Sequence, residues 1–85
     1  MPYTIKFTAR ALRDLTDLDA TAQRQVRQHI DRLAENPLPP GARELHSEEP
    51  YYRMRVGDYR IIYTVAAREL LVIVVKIGHR KNVYR

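Results

Sequence analysis

The sequence predicts an α+β domain in the order β-α-α-β-β-β, an antiparallel sheet with an α-hairpin packed on one face. Three observations predict it. Apolar residues recur at helical spacing in the first half of the chain, from Ala11 to Ala34. They alternate or run as short apolar blocks in the second half, from Tyr51 to Lys76. Between the halves lies one loop-like stretch, PLPPGARELHSEEP, Pro37 to Pro50, whose first five residues hold three prolines and a glycine. With 85 residues the expectation is a single domain, residues 1–85. A domain of this size buries only roughly 60–65% of its unfolded surface, so its core must be simple.

Each element has a local reason. Tyr3, Ile5 and Phe7 alternate with polar residues, the period of a half-buried strand. Thr8 is placed to cap a short helix over 9–17, with Ala11, Leu12, Leu15 and Leu18 on its apolar face. Asp19 or Thr21 caps a second helix, with Ala22, Val26, Ile30, Leu33 and Ala34 buried. Asn36-Pro37 stops it, because a proline disfavours helix in the residue before it. Three strands follow: Tyr51–Val56, Tyr59–Val65 and Leu70–Lys76. Gly57-Asp58 is the tight turn between the first two, Ala66 to Glu69 a looser turn before the third. Gly78 is expected to end the third strand.

The stretch YYRMRVGDYRIIYTV then assigns faces. A two-residue turn at Gly57-Asp58 pairs Val56 with Tyr59 and Arg55 with Arg60. Opposed residues share a face and faces alternate along a strand. Tyr52, Met54, Val56, Tyr59, Ile61 and Tyr63 therefore face the helices, and Arg53, Arg55 and Arg60 share the open side. A like-charge cross-strand pair costs about 0.2–1 kcal/mol. A bound phosphate explains the crowding, since arginine offers phosphate oxygens a planar fork of donors.

The charge distribution agrees. Residues 1–49 hold seven basic and eight acidic side chains; residues 50–85 hold eight basic and two acidic, so the whole excess of +5 lies in the second half. A polyanion such as RNA or DNA is the partner such a surface fits. There is no cysteine, hence no disulfide framework and no thiolate chemistry. A reducing, cytoplasmic setting follows. No signal peptide is visible at the N-terminus. The longest apolar run, Leu70 to Val75, is too short to span a membrane, so no membrane partner is expected. No phosphate-binding glycine loop, HExxH or paired-carboxylate motif occurs. His29, His46 and His79 fall in different elements, so no metal and no cofactor is expected.

A nuclease built from these residues relies on cations to stabilise a pentavalent phosphate and on side chains for proton transfer. The accessible nucleophile is then the 2′-OH of RNA, giving a 2′,3′-cyclic phosphate and a 5′-OH. The tail KIGHRKNVYR supplies the remaining candidates. His79 titrates near neutrality, Arg80 is a fixed cation, and Tyr84 is a phenol beside guanidinium groups. Lys81 and Arg85 add phosphate-binding charge.

YRMRVGDYRIIY followed by GHRKNVYR resembles the RelE/ParE superfamily of type II toxin–antitoxin toxins, on its RelE-like side. The likeness extends to the TARALRDLTDL helix and the order of elements. It implies a RelE-like, microbial RNase-like fold and a ribosome-dependent mRNA endonuclease acting in the A site. By position it implies phosphate-binding roles for Arg53 and Arg55, catalytic roles for Arg60 and Arg80, and base stacking or proton transfer for Tyr84. The better-known pattern has lysines where this chain has Arg53 and Arg55. Arginine, with a pKa above about 12, is no base, which leaves His79 or Tyr84 as the proton acceptor. The resemblance also implies a cognate antitoxin, the ribosome and mRNA as partners, and operator DNA bound only through the antitoxin complex. Two other readings stand beside this one. One is a ParE-like inhibitor of DNA gyrase without catalytic activity. The other is a non-toxic remnant or an RNA-binding partner within the operon's repressor complex.

Overall fold

A computed structural model describes residues 2–45 and 51–79. Along them run β1 (Thr4–Phe7), α1 (Ala9–Thr16), α2 (Ala20–Arg32), β2 (Arg43–Glu44), β3 (Tyr52–Val56), β4 (Tyr59–Ala66) and β5 (Leu71–His79). The helices begin as their capping residues dictate. The Thr8 hydroxyl accepts the Ala11 N–H at 3.0 Å and donates to the Val75 carbonyl at 2.8 Å. Asp19 Oδ1 accepts the Ala22 N–H at 2.8 Å, so Asp19 rather than Thr21 is the second cap. The Gln23 amide donates to the Leu15 carbonyl at 2.9 Å, linking α2 back to α1. Both apolar stripes are buried: Ala11 and Leu15 on α1, Ala22, Val26 and Ile30 on α2, with Leu33 at its C-cap.

The strands form one sheet in the order β1-β5-β4-β3-β2. The β3–β4 and β4–β5 pairings are antiparallel, as the short turns require. Two features differ from expectation. β1 pairs parallel with β5, Thr4 opposite Leu71 through Phe7 opposite Val74, so the sheet is mixed. A tight turn forces neighbours antiparallel, but β1 leads into the helical hairpin and is free of that constraint. The other difference is β2, two residues of the proline-rich stretch that pair with β3: Arg43 with Arg53 and Glu44 with Tyr52. The prolines end before it, and Gly41, at φ +94°, turns the chain into the ladder.

β5 also runs further than expected, through Gly78 to His79. Gly78 is held in the ladder opposite Arg60, so its weak strand preference is overridden by pairing. The β4–β5 register shifts between Ile62 and Tyr63: Tyr63 pairs with Val74, Ile62 with Lys76. Val75 is the extra residue of this bulge. The shift decides what is buried. Strict alternation from Val72 and Val74 would put Lys76 in the core; the bulge puts Lys76 opposite Ile62 and buries Ile77 instead.

The helix-facing side of the sheet matches the sequence expectation. Met54, Val56, Ile61 and Tyr63 are buried and Tyr52 and Tyr59 pack against them. Tyr63 is fully enclosed, its ring stacked on Tyr52 at 5.8 Å between centroids. Its hydroxyl donates to the Pro37 carbonyl at 2.8 Å. Burial, and secondarily Tyr52, pushes its pKa from 10.0 up to about 12. This bond fixes the start of the connection that leads to β2.

Candidate nucleic-acid interface

The open side of the sheet is built by register. Arg55 lies opposite Arg60, and Arg53 lies between Ile62 on β4 and Arg43 on β2. Arg53, Arg55 and Arg60 thus share one side, as the alternation predicts. Arg55 is exposed, whereas Arg53 and Arg60 are half-buried. The Nε atoms of both, and Nη1 of Arg60, are fully covered. Ile62, on the same side, is only 7% exposed. Long arginine stems cover apolar surface in this way while their heads stay polar.

Sequence reasoning missed two cations of this side. Arg43 was hidden in the loop, where a two-residue strand leaves no periodicity to read. Lys76, opposite Ile62, was counted as charge but assigned no face, because the bulge sets its parity; it also lines the groove beside α1. The signal for it was present: continuous alternation would bury a lysine and expose an isoleucine. Against these cations, no Asp or Glu occupies an open-side strand position among the described residues; Asp58 is in the turn. Two concavities follow the arginines. One, about 510 Å³, is lined by Pro40, Gly41, Arg43, Arg53, Met54 and Arg55. A smaller one, about 80 Å³, lies at the turn between Arg55, Asp58 and Arg60.

His79 is not brought to this side. It pairs with Tyr59, on the helix-facing parity, and its ring meets Tyr59 edge-on at 5.8 Å. Both border a groove of about 280 Å³ beside α1, with Arg10, Asp14 and Asp17. Asp14 closes the base of that groove, accepting the Ile77 N–H at 3.1 Å and lying 3.7 Å from Arg10 Nε. Arg80, Lys81, Tyr84 and Arg85 lie outside the described residues, as does His46. Among the described residues no three His, Asp or Glu side chains are grouped to hold a metal ion. None of the described helices is long and apolar enough to cross a membrane.

This arrangement, a cationic open sheet face backed by an α-hairpin, has relatives. The family profile described as ParE toxin of type II toxin–antitoxin system, parDE, matches residues 5–84. The chain belongs to the ParE toxin family. Toxin RelG of Mycobacterium tuberculosis is 30% identical over 86 residues, covering 100% of this chain and 99% of RelG. The mRNA interferase toxin RelE of Escherichia coli is 28% identical over 84 residues, 96% of this chain and 87% of that protein. A chain of the Mycobacterium tuberculosis RelBE2 toxin–antitoxin complex superposes with a TM-score of 0.83 at 29% identity, covering 94% of this chain and 100% of its own length. This protein is therefore a type II toxin of the RelE/ParE superfamily, with the α+β fold the sequence predicts.

Proposed function

We propose that this toxin is an endoribonuclease that cleaves mRNA in the ribosomal A site and so arrests translation. The observation that carries the reading is the convergence of Arg53, Arg55 and Arg60, with Arg43, on one side of the sheet. The likeness to a protein named mRNA interferase, at 28% identity, supports the same reaction class. In the proposed step the 2′-OH attacks the adjacent phosphorus, the P–O5′ bond breaks, and a 2′,3′-cyclic phosphate and a 5′-OH result. Arg60 stabilises the charge of the pentavalent state, and Arg55, opposite it across the hairpin, binds the scissile phosphate. Arg53, two residues along β3 from Arg55, binds backbone phosphate.

The tail residues are assigned by sequence position alone. Arg80 is the second stabilising cation, Lys81 and Arg85 add phosphate contacts, and Tyr84 stacks on the base and accepts or relays the 2′-OH proton. His79 lies on the other parity of the sheet, so Tyr84 is preferred as the proton acceptor. No metal or cofactor enters the step. A free nuclease of this kind is lethal, so a cognate antitoxin is the expected partner, with operator DNA reached through that complex.

The test is translation of a defined message in a purified system, with mapping of 5′ ends. A-site cleavage by the wild type, lost in Arg60→Gln, supports the proposal. Intact message at growth-arresting toxin levels overturns it. The description of the matching family, with its parDE name, favours one second reading, inhibition of DNA gyrase. Accumulated gyrase–DNA cleavage complexes with translation initially intact would establish that reading instead.

A further inference from the structure

The open side carries two successive arginine pairs, not one. Arg55 faces Arg60 across β3–β4, and one pleat away Arg53 faces Arg43 across β2–β3. Arg53 and Arg55 are two residues apart on one strand, which separates their backbones by about 6.7 Å. This is a distance of the order that separates neighbouring phosphates in an extended single strand. A single scissile phosphate occupies one pair. The larger concavity lies along the second pair, bordered by Arg43, Arg53 and Arg55, and its volume of about 510 Å³ falls among ligand-sized sites.

The mounting of Arg43 is ordered from both ends. The Ala42 N–H donates to the Pro39 carbonyl at 3.0 Å, closing the Pro39-Pro40-Gly41 turn. The Leu45 N–H donates to the Tyr51 carbonyl at 2.8 Å, continuing the β2–β3 ladder. Upstream, Tyr63 holds Pro37. Glu44 takes the opposite parity from Arg43, opposite Tyr52. We propose that Arg43 and Arg53 form a second phosphate subsite, which holds the message phosphate next to the scissile one and sets the register of the strand. The inference rests on the reading that this face binds message.

The experiment measures binding and needs no cleavage. The probe is a short 2′-O-methyl RNA, which cannot cleave itself, with one linkage at a time made a neutral methylphosphonate. Anisotropy is read with wild-type toxin, R43Q and R43K. Neutralising either of two adjacent linkages is expected to weaken wild-type binding about tenfold, within the range of one charge-assisted hydrogen bond. R43Q should bind about tenfold more weakly and respond to only one of those linkages, while R43K recovers part of the loss. Arg43 is exposed, so the variant should keep the wild-type unfolding transition. R43Q that binds as tightly as wild type, or that responds to both linkages alike, overturns the subsite. R43Q that loses affinity for the antitoxin but not for RNA also overturns it. Failure of the nuclease reading is separate: it shows as absent message cleavage by the wild type.

Discussion

Arg55→Thr should make this toxin more stable and less active at once. Arg55 is exposed, so the substitution removes little packing, and threonine suits a strand. Two like charges roughly 8 Å apart in water repel by about 0.5 kcal/mol. Arg55 has two such neighbours, Arg60 opposite and Arg53 along the same strand. With the cross-strand range of 0.2–1 kcal/mol, the gain should be about 0.5–1 kcal/mol. For a domain of this length that raises Tm by about 2–8 °C. The assay is thermal unfolding followed by circular dichroism at low salt and at 1 M salt. The Debye length shrinks to about 3 Å at 1 M, so the charge-dependent gain should vanish there. Message cleavage by the same variant should fall. A variant no more stable at low salt, or with a gain untouched by 1 M salt, would refute the claim that repulsion is stored on this face.

Three further outcomes are expected. Tyr63 keeps its proton to about pH 12 in the folded state but begins to lose it near pH 10 when unfolded. The unfolded state then binds fewer protons, so this contribution is complete below pH 10 and is lost between about pH 10 and 12, with a slope of up to about 1.4 kcal/mol per pH unit. Tyr63→Phe should cost about 1 kcal/mol at neutral pH and lose that alkaline slope; parallel melting-temperature profiles over pH 9–12 would contradict it. Gly78→Val puts a side chain opposite Arg60 while keeping strand preference. Cleavage should drop about a hundredfold with the fold retained, and full activity in a folded variant would remove this end of β5 from the site. Thr8→Ala loses both the α1 cap and the bond to Val75. It should cost about 1–2 kcal/mol, read as a Tm fall of about 5–10 °C, and an unchanged Tm would show the cap to be dispensable.

The legible and illegible parts of the molecule divide along physical lines. The arginine side was readable because its pairing is local: a two-residue turn fixes register, and register fixes faces. The helices were readable because caps and apolar spacing are also local signals. Arg43 was not, since its strand is two residues long and exists only through pairing with β3. The face of His79 was not, since it depends on a bulge at Val75, whose carbonyl accepts from Thr8, 67 residues away. The parallel pairing of β1 with β5 was equally hidden, because no turn connects the two. In each case the deciding interaction joins residues distant in sequence.

That last pairing has a consequence for how the toxin comes into being. The Thr8–Val75 bond joins residues 67 apart, and β1 meets β5 over the same span. Contacts of such separation form late, because loop closure must precede them. Synthesis runs from the N-terminus, so β1, α1 and α2 emerge long before β5, the strand with which β1 pairs. The arginine hairpin can pair locally, but the sheet that joins it to β1 closes only when the chain is free through His79. The proposed attacker of translating ribosomes thus completes its sheet only at the end of its own synthesis.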